Sequence, residues 1–332
     1  FYEFSYTSFI NSMKTKIVTL FGGSGLIGTN LIGSLIKKNF RIIIVTRSAF
    51  QNNHLKTQAT PGAIELLEWN TENFSEIEQA IQNSDIVINL VGILYETRKQ
   101  KFYKLHAKLP EAIAKICARS SVEKLIHISA VGSSSESRSL YQQSKFQGEQ
   151  NTLKNFKNTV IIRPSVVVGP PPENFTNLFA KLSFFPVIPI PKLTYRMQPV
   201  HVDDVAKAII EIIETKNNYG KIYEIGGPKI FTFKEIIQSI MQTIGKKRLI
   251  IQMPLPLAKI QSTIFDLLPF PPLLTRDQVE ILSEQDNIVS NNHLTLKDLN
   301  ISPIDIEKAM IKWLVRFRDR GQFSLEKPNE KS

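Results

Sequence analysis

Cysteine is almost absent from this chain of 332 residues, because Cys117 is its single cysteine. One cysteine cannot form an intrachain disulfide, so the sequence excludes a secreted disulfide scaffold and favours a reducing compartment. Long apolar runs are also missing, since the stretches at 86–94 and 249–274 are too short or are interrupted by proline and charge. A spanning helix needs about 20 apolar residues, so we expect no transmembrane segment.

Basic residues are absent from positions 1–12, which precede Met13. This segment therefore resembles neither a secretory signal nor an arginine-rich transit peptide. Two interpretations stay open, a processing remnant and an upstream extension.

The overall composition is that of a folded, basic protein. Hydrophobic residues make up 42% of the chain and charged residues 21%, which is close to the usual globular values. The 41 lysines and arginines outnumber the 30 acidic residues and give a formal charge of +11. This excess favours phosphates, nucleic acid or anionic lipid headgroups as partners, with an ordinary basic surface as the alternative.

Strand and helix patterns alternate through the first half of the chain. Predicted strands lie at 16–21, 41–46, 63–69, 85–90 and 124–129, and apolar positions at helical spacing separate most of them. This alternation predicts a parallel sheet covered on both faces, the doubly wound α/β architecture of a Rossmann domain.

The second half of the chain does not continue the regular alternation of strands and helices. Seven prolines lie within 164–191 and exclude one long helix there. A helix at 202–214 and a strand at 221–225 are predicted to return to the main sheet. The predicted domain plan is an N-terminal extension at 1–12, a Rossmann domain at 13–228 with a loop-rich excursion at 165–198, and a smaller, mostly helical C-terminal lobe at 229–332.

A glycine-rich turn follows the first predicted strand and precedes a predicted helix. Gly23, Gly25 and Gly28 have the spacing G-x-G-x-x-G, and Gly22 with the last two has the spacing G-x-x-G-x-x-G. Such glycines permit a tight turn, the approach of backbone N–H groups to a pyrophosphate, and close packing of helix on strand. The turn predicts a dinucleotide site, with a glycine turn that binds no nucleotide as the alternative. Its predicted residues are Gly22, Gly23, Ser24, Gly25, Leu26, Ile27 and Gly28.

The end of the second predicted strand indicates which nucleotide is preferred. A site for NAD places Asp or Glu about 20 residues after the turn, whereas this chain has Arg47 and Ser48 there. A guanidinium and a hydroxyl suit a 2′-phosphate, so NADPH is favoured over NADH, with a solvated arginine as the alternative. By position alone, Asn70 is predicted beside the adenine, and Val91 and Gly92 beside the nicotinamide ribose.

Tyr141 and Lys145 form a Y-x-x-x-K pattern that begins twelve residues after Ser129. Residues at i and i+4 share a helix face, so the ammonium is expected to favour the phenolate and to hold ribose hydroxyls. Tyr141, Lys145 and Ser129 are therefore the predicted catalytic group, or its remnant. The alternatives are a pair on a helix surface and a plain residue at a strand end.

Taken in order, these motifs resemble the extended or atypical short-chain dehydrogenase/reductase superfamily. The segments RPSVVVGP at 163–170, HVDDV at 201–205 and YEIGGP at 223–228 carry the resemblance further. It implies a nucleotide-binding domain that closes near residue 228, with Pro164 among the cofactor-binding residues. One departure concerns Ser129, because the serine run usual in active members begins only at Ser133. Tyr141 and Lys145 are therefore also consistent with binding a cofactor without turnover.

A narrower resemblance is to the nucleotide-binding accessory subunit of respiratory complex I, NADH:ubiquinone oxidoreductase, and to its bacterial relatives. It is carried by 66–70, 87–92, 274–280, 298–303 and 316–321. It implies tightly held NADPH in a structural role, with subunits of the hydrophilic arm as partners. The expected location is the cytoplasmic face of a bacterial inner membrane, or the matrix side of a mitochondrial one. A free NADPH-dependent reductase or epimerase is the alternative.

Lys246, Lys247 and Arg248 precede the apolar stretch at 249–274. Such a sequence suits peripheral docking through 246–274 on an anionic membrane surface or a hydrophobic partner. A helix packed on its own nucleotide domain is the alternative. The five histidines lack the spacing of metal ligands, so no metal site is predicted, and nucleic acid is only a remote candidate.

Overall fold

The structure is a computed structural model. It describes residues 15–70, 73–74, 76–171, 174–192, 194–266, 275–319 and 321. The predicted N-terminal extension at 1–12 and the end of the apolar stretch at 267–274 lie outside the described residues.

Thirteen strands and ten helices of regular α type are present in the described part of the chain. The strands are β1 (Ile17–Phe21), β2 (Arg41–Thr46), β3 (Ile64–Glu68), β4 (Ile86–Asn89), β5 (Lys124–Ile128), β6 (Thr159–Pro164), β7 (Val167–Val168), β8 (Val187–Pro191), β9 (Arg196–Met197), β10 (Val200–His201), β11 (Ile222–Ile225), β12 (Phe231–Thr232) and β13 (Leu249–Met253). The helices are α1 (Leu26–Lys37), α2 (Glu76–Ile81), α3 (Leu109–Ala118), α4 (Leu140–Asn155), α5 (Phe175–Leu182), α6 (Val202–Glu214), α7 (Phe233–Thr243), α8 (Leu255–Asp266), α9 (Arg276–Glu284) and α10 (Ile306–Leu314).

Seven parallel strands form the central sheet in the order β3-β2-β1-β4-β5-β6-β11. Residues of α1 and α6 pack on one face, and residues of α2 and α3 pack on the other. Because both faces are covered, inner strands such as β4, with the sequence Ile-Val-Ile-Asn, are buried along their whole length. The predicted doubly wound architecture is confirmed.

The sheet changes direction between β1 and β4, which are neighbours in space although two strands separate them in sequence. In open α/β sheets, ligands bind in the crevice at such a switch point, beyond the carboxyl ends of the strands. The glycine turn after β1 and the loop after β4 both begin at this crevice. The fold therefore brings the predicted dinucleotide residues to one edge of the sheet.

The second half is more regular than its prolines suggest. The predicted loop-rich excursion contains α5, because Asn174 caps that helix by accepting from the N–H groups of Thr176 and Asn177. The apolar stretch at 249–274 was expected to be partly helical, and α8 lies within it, whereas residues 249–253 form β13, which pairs with β8 in parallel. Strand β6 was not predicted. These runs are short and apolar, so their sequences do not distinguish strand from helix.

A separate core joins α5, α7 and α10, and its buried side chains include Phe179, Phe233, Ile237, Met310 and Trp313. The chain then returns to the first domain, since Asn287 bridges to Met197 and Leu294 to Tyr223. No helix of the described residues is long and apolar enough to cross a membrane.

Candidate functional site

The glycine turn is held by close backbone contacts. Gly22 has a φ of 76°, which favours glycine, and its N–H donates to the Val45 carbonyl at 3.3 Å. A Cβ at Gly28 would lie 2.3 Å from the Gly23 carbonyl oxygen. Because α1 packs this closely on the turn, Gly28 tolerates no side chain there.

The first turn of α1 is open to an anion. Gly25 is the N-cap and supplies no side-chain cap, and the first turn carries no acidic residue. The first N–H groups of a helix have no intrahelical acceptor, and they suit a phosphate. Ser24, Leu26 and Ile27 are only partly buried around them. The residues present therefore fit the pyrophosphate of a dinucleotide.

Arg47 directly follows β2 and is exposed. It lines an open cleft of about 440 Å³ together with residues 97–100. The Oγ of Ser48 accepts from the N–H of Gln51 at 3.4 Å. Glu68, at the end of β3, is a nearby carboxylate, and its Oε2 accepts from the N–H of Ala49 at 2.9 Å.

Asn70 and Pro164 lie at opposite parts of the same edge. Asn70 is exposed just after β3, and its N–H donates to Glu76 Oε2 at 3.1 Å. Pro164 is buried at the end of β6, and its carbonyl accepts from the N–H of Val131 at 3.0 Å. Their contacts with a nucleotide stay predictions.

Lys145 is buried at the centre of this edge, and its Nζ donates to the Ile128 carbonyl at 3.1 Å. Burial lowers the pKa of Lys145 to about 8, against the opposing effect of Glu149. A Cβ at Gly92 would lie 3.3 Å from Nζ, so the chain after β4 passes beside the ammonium. The neighbouring Val91 is held by the loop itself, because its N–H donates to Asn89 Oδ1 at 3.1 Å.

Tyr141 lies against two rings, with centroid distances of 5.7 Å to Phe102 and 5.3 Å to His106. Within the described part of the chain, no hydrogen bond is formed by its hydroxyl. Burial, and then the Asp277 carboxylate, raise the pKa of Tyr141 to about 12. The structure reverses the expectation that Lys145 favours the phenolate, because burial disfavours the charged forms of both groups.

Helix α9 holds the start of α4 with two carboxylates. Asp277 accepts from the N–H of Leu140 at 2.7 Å and from the hydroxyl of Ser139 at 2.8 Å. Glu284 accepts from the hydroxyl of Ser137 at 2.6 Å. No local motif predicts a role for these two residues, although their separation of seven places them on one helix face.

Ser129 points into a local turn. The Ser133 hydroxyl donates to the Ala130 carbonyl at 2.7 Å, so the contact at 3.0 Å between the two serine hydroxyls requires Ser129 to donate. Both serines are buried. The Ser129 proton is therefore engaged by Ser133 beside the site, and the catalytic assignment of Ser129 stays a prediction.

Two buried histidines flank Lys145. His106 Nε2 accepts from the N–H of Ile93 at 3.0 Å, so its Nδ1 carries the proton and contacts Ser144 Oγ at 3.0 Å. Burial, followed by Lys145 and His127, lowers the pKa of His106 to about 2. His106 was not predicted as part of the site, because nothing in its local sequence distinguishes it from an ordinary core residue.

His127 lies within β5 and is buried. Its Nδ1 pairs with Asn89 Nδ2 at 3.1 Å, whereas its Nε2 has no partner among the described residues. Burial, and then Lys145, lower the pKa of His127 to about 3. Both imidazoles are therefore neutral at physiological pH.

A buried ionic network supports this edge from behind. Arg163 donates to both carboxylate oxygens of Glu149, at 2.9 and 2.7 Å, and to Glu224 at 3.3 Å. His293 lies 3.2 Å from the same guanidinium. Glu149 is on the helix of Tyr141 and Lys145, so the network fixes that helix against β6 and β11.

A model of the NAD dependent epimerase/dehydratase family matches residues 18–226, which is more than half of the chain. The chain therefore belongs to the NAD dependent epimerase/dehydratase family. That family agrees with the predicted nicotinamide nucleotide cofactor, and the preference for NADPH over NADH stays a prediction.

Relatives narrow this assignment. The chain is 31% identical over 321 residues to NADH dehydrogenase (ubiquinone) 1 alpha subcomplex subunit 9, mitochondrial, of Mus musculus, covering 95% of this chain and 84% of the relative. It is 27% identical to the NADH-ubiquinone oxidoreductase 40 kDa subunit, mitochondrial, of Neurospora crassa, covering 97% of this chain and 84% of that subunit. The predicted resemblance to the accessory subunit of complex I is confirmed.

A solved structure gives the same fold. UDP-glucuronic acid 4-epimerase of Bacillus cereus, in complex with UDP-glucuronic acid and NAD, matches with a TM-score of 0.62 at 19% identity, over 90% of this chain and 98% of the epimerase. At this identity the likeness concerns the fold alone.

Proposed function

We propose that this chain is an NADPH-binding accessory subunit of NADH:ubiquinone oxidoreductase, in which the nucleotide mainly stabilises the fold. The observation that carries the proposal is the environment of Tyr141. Asp277 binds the start of its helix, and burial with this carboxylate raises the pKa of Tyr141 to about 12. A neutral phenol with so high a pKa is a poor proton shuttle at neutral pH.

In this role, the residues at the edge bind rather than react. The N–H groups at the start of α1 would hold the pyrophosphate, Arg47 and Ser48 the 2′-phosphate, and Lys145 the ribose hydroxyls. A bound nicotinamide supplies hydride chemistry, and the chain itself contributes orientation and exclusion of water. The relatives named above, which are subunits of the respiratory enzyme, support the assignment of complex I subunits as partners.

The test is purification from native membranes in mild detergent, followed by mass spectrometry of the proteins and the nucleotide. We expect subunits of the hydrophilic arm to co-purify, with NADPH in near-stoichiometric amount. A partner-free protein that exchanges NADPH freely would contradict the proposal.

A second candidate is a free NADPH-dependent reductase or epimerase. It is favoured by the buried Lys145, whose pKa is lowered to about 8, and by the Tyr141 hydroxyl, which forms no hydrogen bond within the described part of the chain. This candidate requires turnover that Tyr141→Phe abolishes. Equal activity of that variant and the wild type would exclude Tyr141 as the proton donor.

The proposed location is peripheral, on the cytoplasmic face of a bacterial inner membrane or the matrix side of a mitochondrial one. Strands β8 and β13 bury one face, whereas their other face exposes Val187 and its register partner Leu249. Other exposed apolar side chains lie just before β8 and in α8, and we call the whole set the apolar surface: Phe184, Phe185, Val187, Leu249, Ile251, Leu257 and Ile260.

Charge favours an anionic bilayer as the occupant of the apolar surface. A cleft of about 580 Å³ beside it is lined by Lys234, Lys246, Lys247 and Arg248, and Lys246 lies 4.8 Å from the ring centre of Phe184. Cations next to apolar side chains bind lipid phosphates while the apolar groups enter the headgroup region. The predicted membrane contact through 246–274 thereby gains Phe184 and Phe185. Residues 267–274 of that segment lie outside the described residues.

Vesicle flotation tests this location. The purified chain should float with vesicles of phosphatidylcholine and cardiolipin, and not with phosphatidylcholine alone. Lys246→Gln with Lys247→Gln should weaken binding about thirtyfold, at about 1 kcal/mol per charge, whereas Lys154→Gln with Lys157→Gln should not. Equal binding by both double variants would refute the assignment.

A further inference from the structure

The loop after β4 reaches across the sheet edge to Arg47. The cleft of about 440 Å³ is lined by Arg47 and by Thr97, Arg98, Lys99 and Gln100. Strand β1 lies between β2 and β4 in the sheet. Residues that follow β4 and residues that follow β2 therefore meet over the carboxyl end of β1, where the glycine turn begins.

A tight turn presents the two cations of this loop. The N–H of Thr97 donates to the Gln100 carbonyl at 2.9 Å, and Thr97 Oγ1 accepts from the N–H of Gln100 at 3.0 Å. Arg98 and Lys99 are thus the central residues of a closed turn. Both side chains are exposed at its tip.

The acidic residue of this loop is already engaged. Glu96 accepts from the N–H of Phe102 at 2.8 Å and pairs with Lys101 at 3.1 Å. Glu96 therefore anchors the base of the turn and does not neutralise Arg98 or Lys99.

Arg47, Arg98 and Lys99 surround one cleft, and within the described ranges none of them pairs with a carboxylate. Three like charges around a shared space repel each other until an anion binds between them. A phosphate monoester carries close to two negative charges and several acceptor oxygens, so it suits two guanidinium groups and an ammonium better than a single carboxylate would.

We infer that the turn at Arg98 and Lys99 joins Arg47 to form the 2′-phosphate subsite of the nucleotide. This assignment rests on the proposed NADPH site and adds two residues that determine specificity. They lie 51 and 52 residues beyond Arg47 in sequence and reach it only through the fold.

Binding measurements on the purified full chain test the inference without any activity assay. Calorimetric titrations with NADPH and NADH are compared for the wild type, for Arg98→Ala with Lys99→Ala, and for the control Lys154→Ala with Lys157→Ala. The control removes the same charge from two exposed positions, Lys154 in the last turn of α4 and Lys157 just beyond that helix. Adenosine 2′,5′-bisphosphate and 5′-AMP serve as probes that differ only in the 2′-phosphate.

The double variant at the turn should bind NADPH and the bisphosphate about tenfold more weakly. Its affinity for NADH and 5′-AMP should change by less than about twofold, and the control should match the wild type. Equal losses for all four ligands would mean general attraction and overturn the inference, as would an unchanged NADPH to NADH ratio. A wild type that binds neither dinucleotide would overturn the proposed function as well.

Discussion

The interior behind Lys145 and the apolar surface on β8 and β13 both contain side chains in unfavourable surroundings. The interior buries charged groups, whereas the apolar surface exposes hydrophobic groups to solvent. In the interior, Arg163, Glu149 and Glu224 are buried charges that satisfy one another. On the apolar surface, side chains such as Phe184, which is 74% exposed, have no cover from the described part of the chain.

The difference indicates what each region needs. Pairing offsets the cost of burying charges, so the Arg163 network is complete within the chain and fixes the helix that carries Tyr141 and Lys145. Contiguous exposed apolar side chains are uncommon on monomers and usually mark an interaction surface. The apolar surface is therefore expected to gain its function from an outside partner.

The largest effect is expected from breaking the interior network. Arg163→Met leaves Glu149, whose side chain is fully buried, without its bidentate partner. The free energy of unfolding should fall by about 3–5 kcal/mol. Denaturant unfolding at pH 7 measures this change.

A surface pair supplies the matched control. Arg41 contacts Glu65 at 3.0 Å, and both side chains are more than 40% exposed. Arg41→Met should change stability by less than about 1 kcal/mol. Similar losses for both variants would show that the interior network is no more important than a solvated ion pair.

Acid should destabilise the interior through its neutral histidines. The folded pKa values of His106 and His127, about 2 and about 3, lie below the unfolded value of 6.5. Between pH 3 and 6.5 the unfolded chain therefore binds more protons, so stability is lost as the pH falls through 6.5. Each imidazole should cost about 2 kcal/mol between pH 6.5 and pH 5.

Unfolding curves at pH 7 and pH 5 check this expectation by difference. His106→Gln should lose less stability than the wild type over this interval, whereas His54→Gln, at an exposed position, should follow the wild type. The same pH dependence in all three proteins would contradict the assignment of a buried neutral imidazole at His106.

Local spacing predicted the parts of the site that lie close in sequence. The glycines of the turn and the i, i+4 pair of Tyr141 and Lys145 follow from backbone geometry. Contacts over long separations were not predictable, because no local pattern indicates that Asp277 meets Leu140 across 137 positions. Strand β13 was missed for another reason, since a short apolar run does not distinguish strand from helix.

Changes in helix α9 should have an effect on stability between those of the interior network and the apolar surface. This helix joins the C-terminal region to the nucleotide edge. Asp277→Ala removes acceptors of the N–H groups of Leu140 and Tyr141 at the start of α4. Loss of such a cap should cost about 1–2 kcal/mol. Asp319→Ala, at an exposed position, is the control. Equal melting temperatures of the two variants would argue that α9 does not stabilise the start of α4.

The smallest effect on stability is expected at the apolar surface. Ile251, which is 46% exposed, and Ile190, which is 1% exposed, lie on opposite faces of one small sheet. Ile190→Ser should cost about 3 kcal/mol by burying a hydroxyl and leaving a cavity, whereas Ile251→Ser should cost less than about 0.5 kcal/mol. Ile251→Ser should instead weaken flotation with anionic vesicles. Loss of stability without loss of vesicle binding would place Ile251 in the protein's own core and remove it from the docking surface.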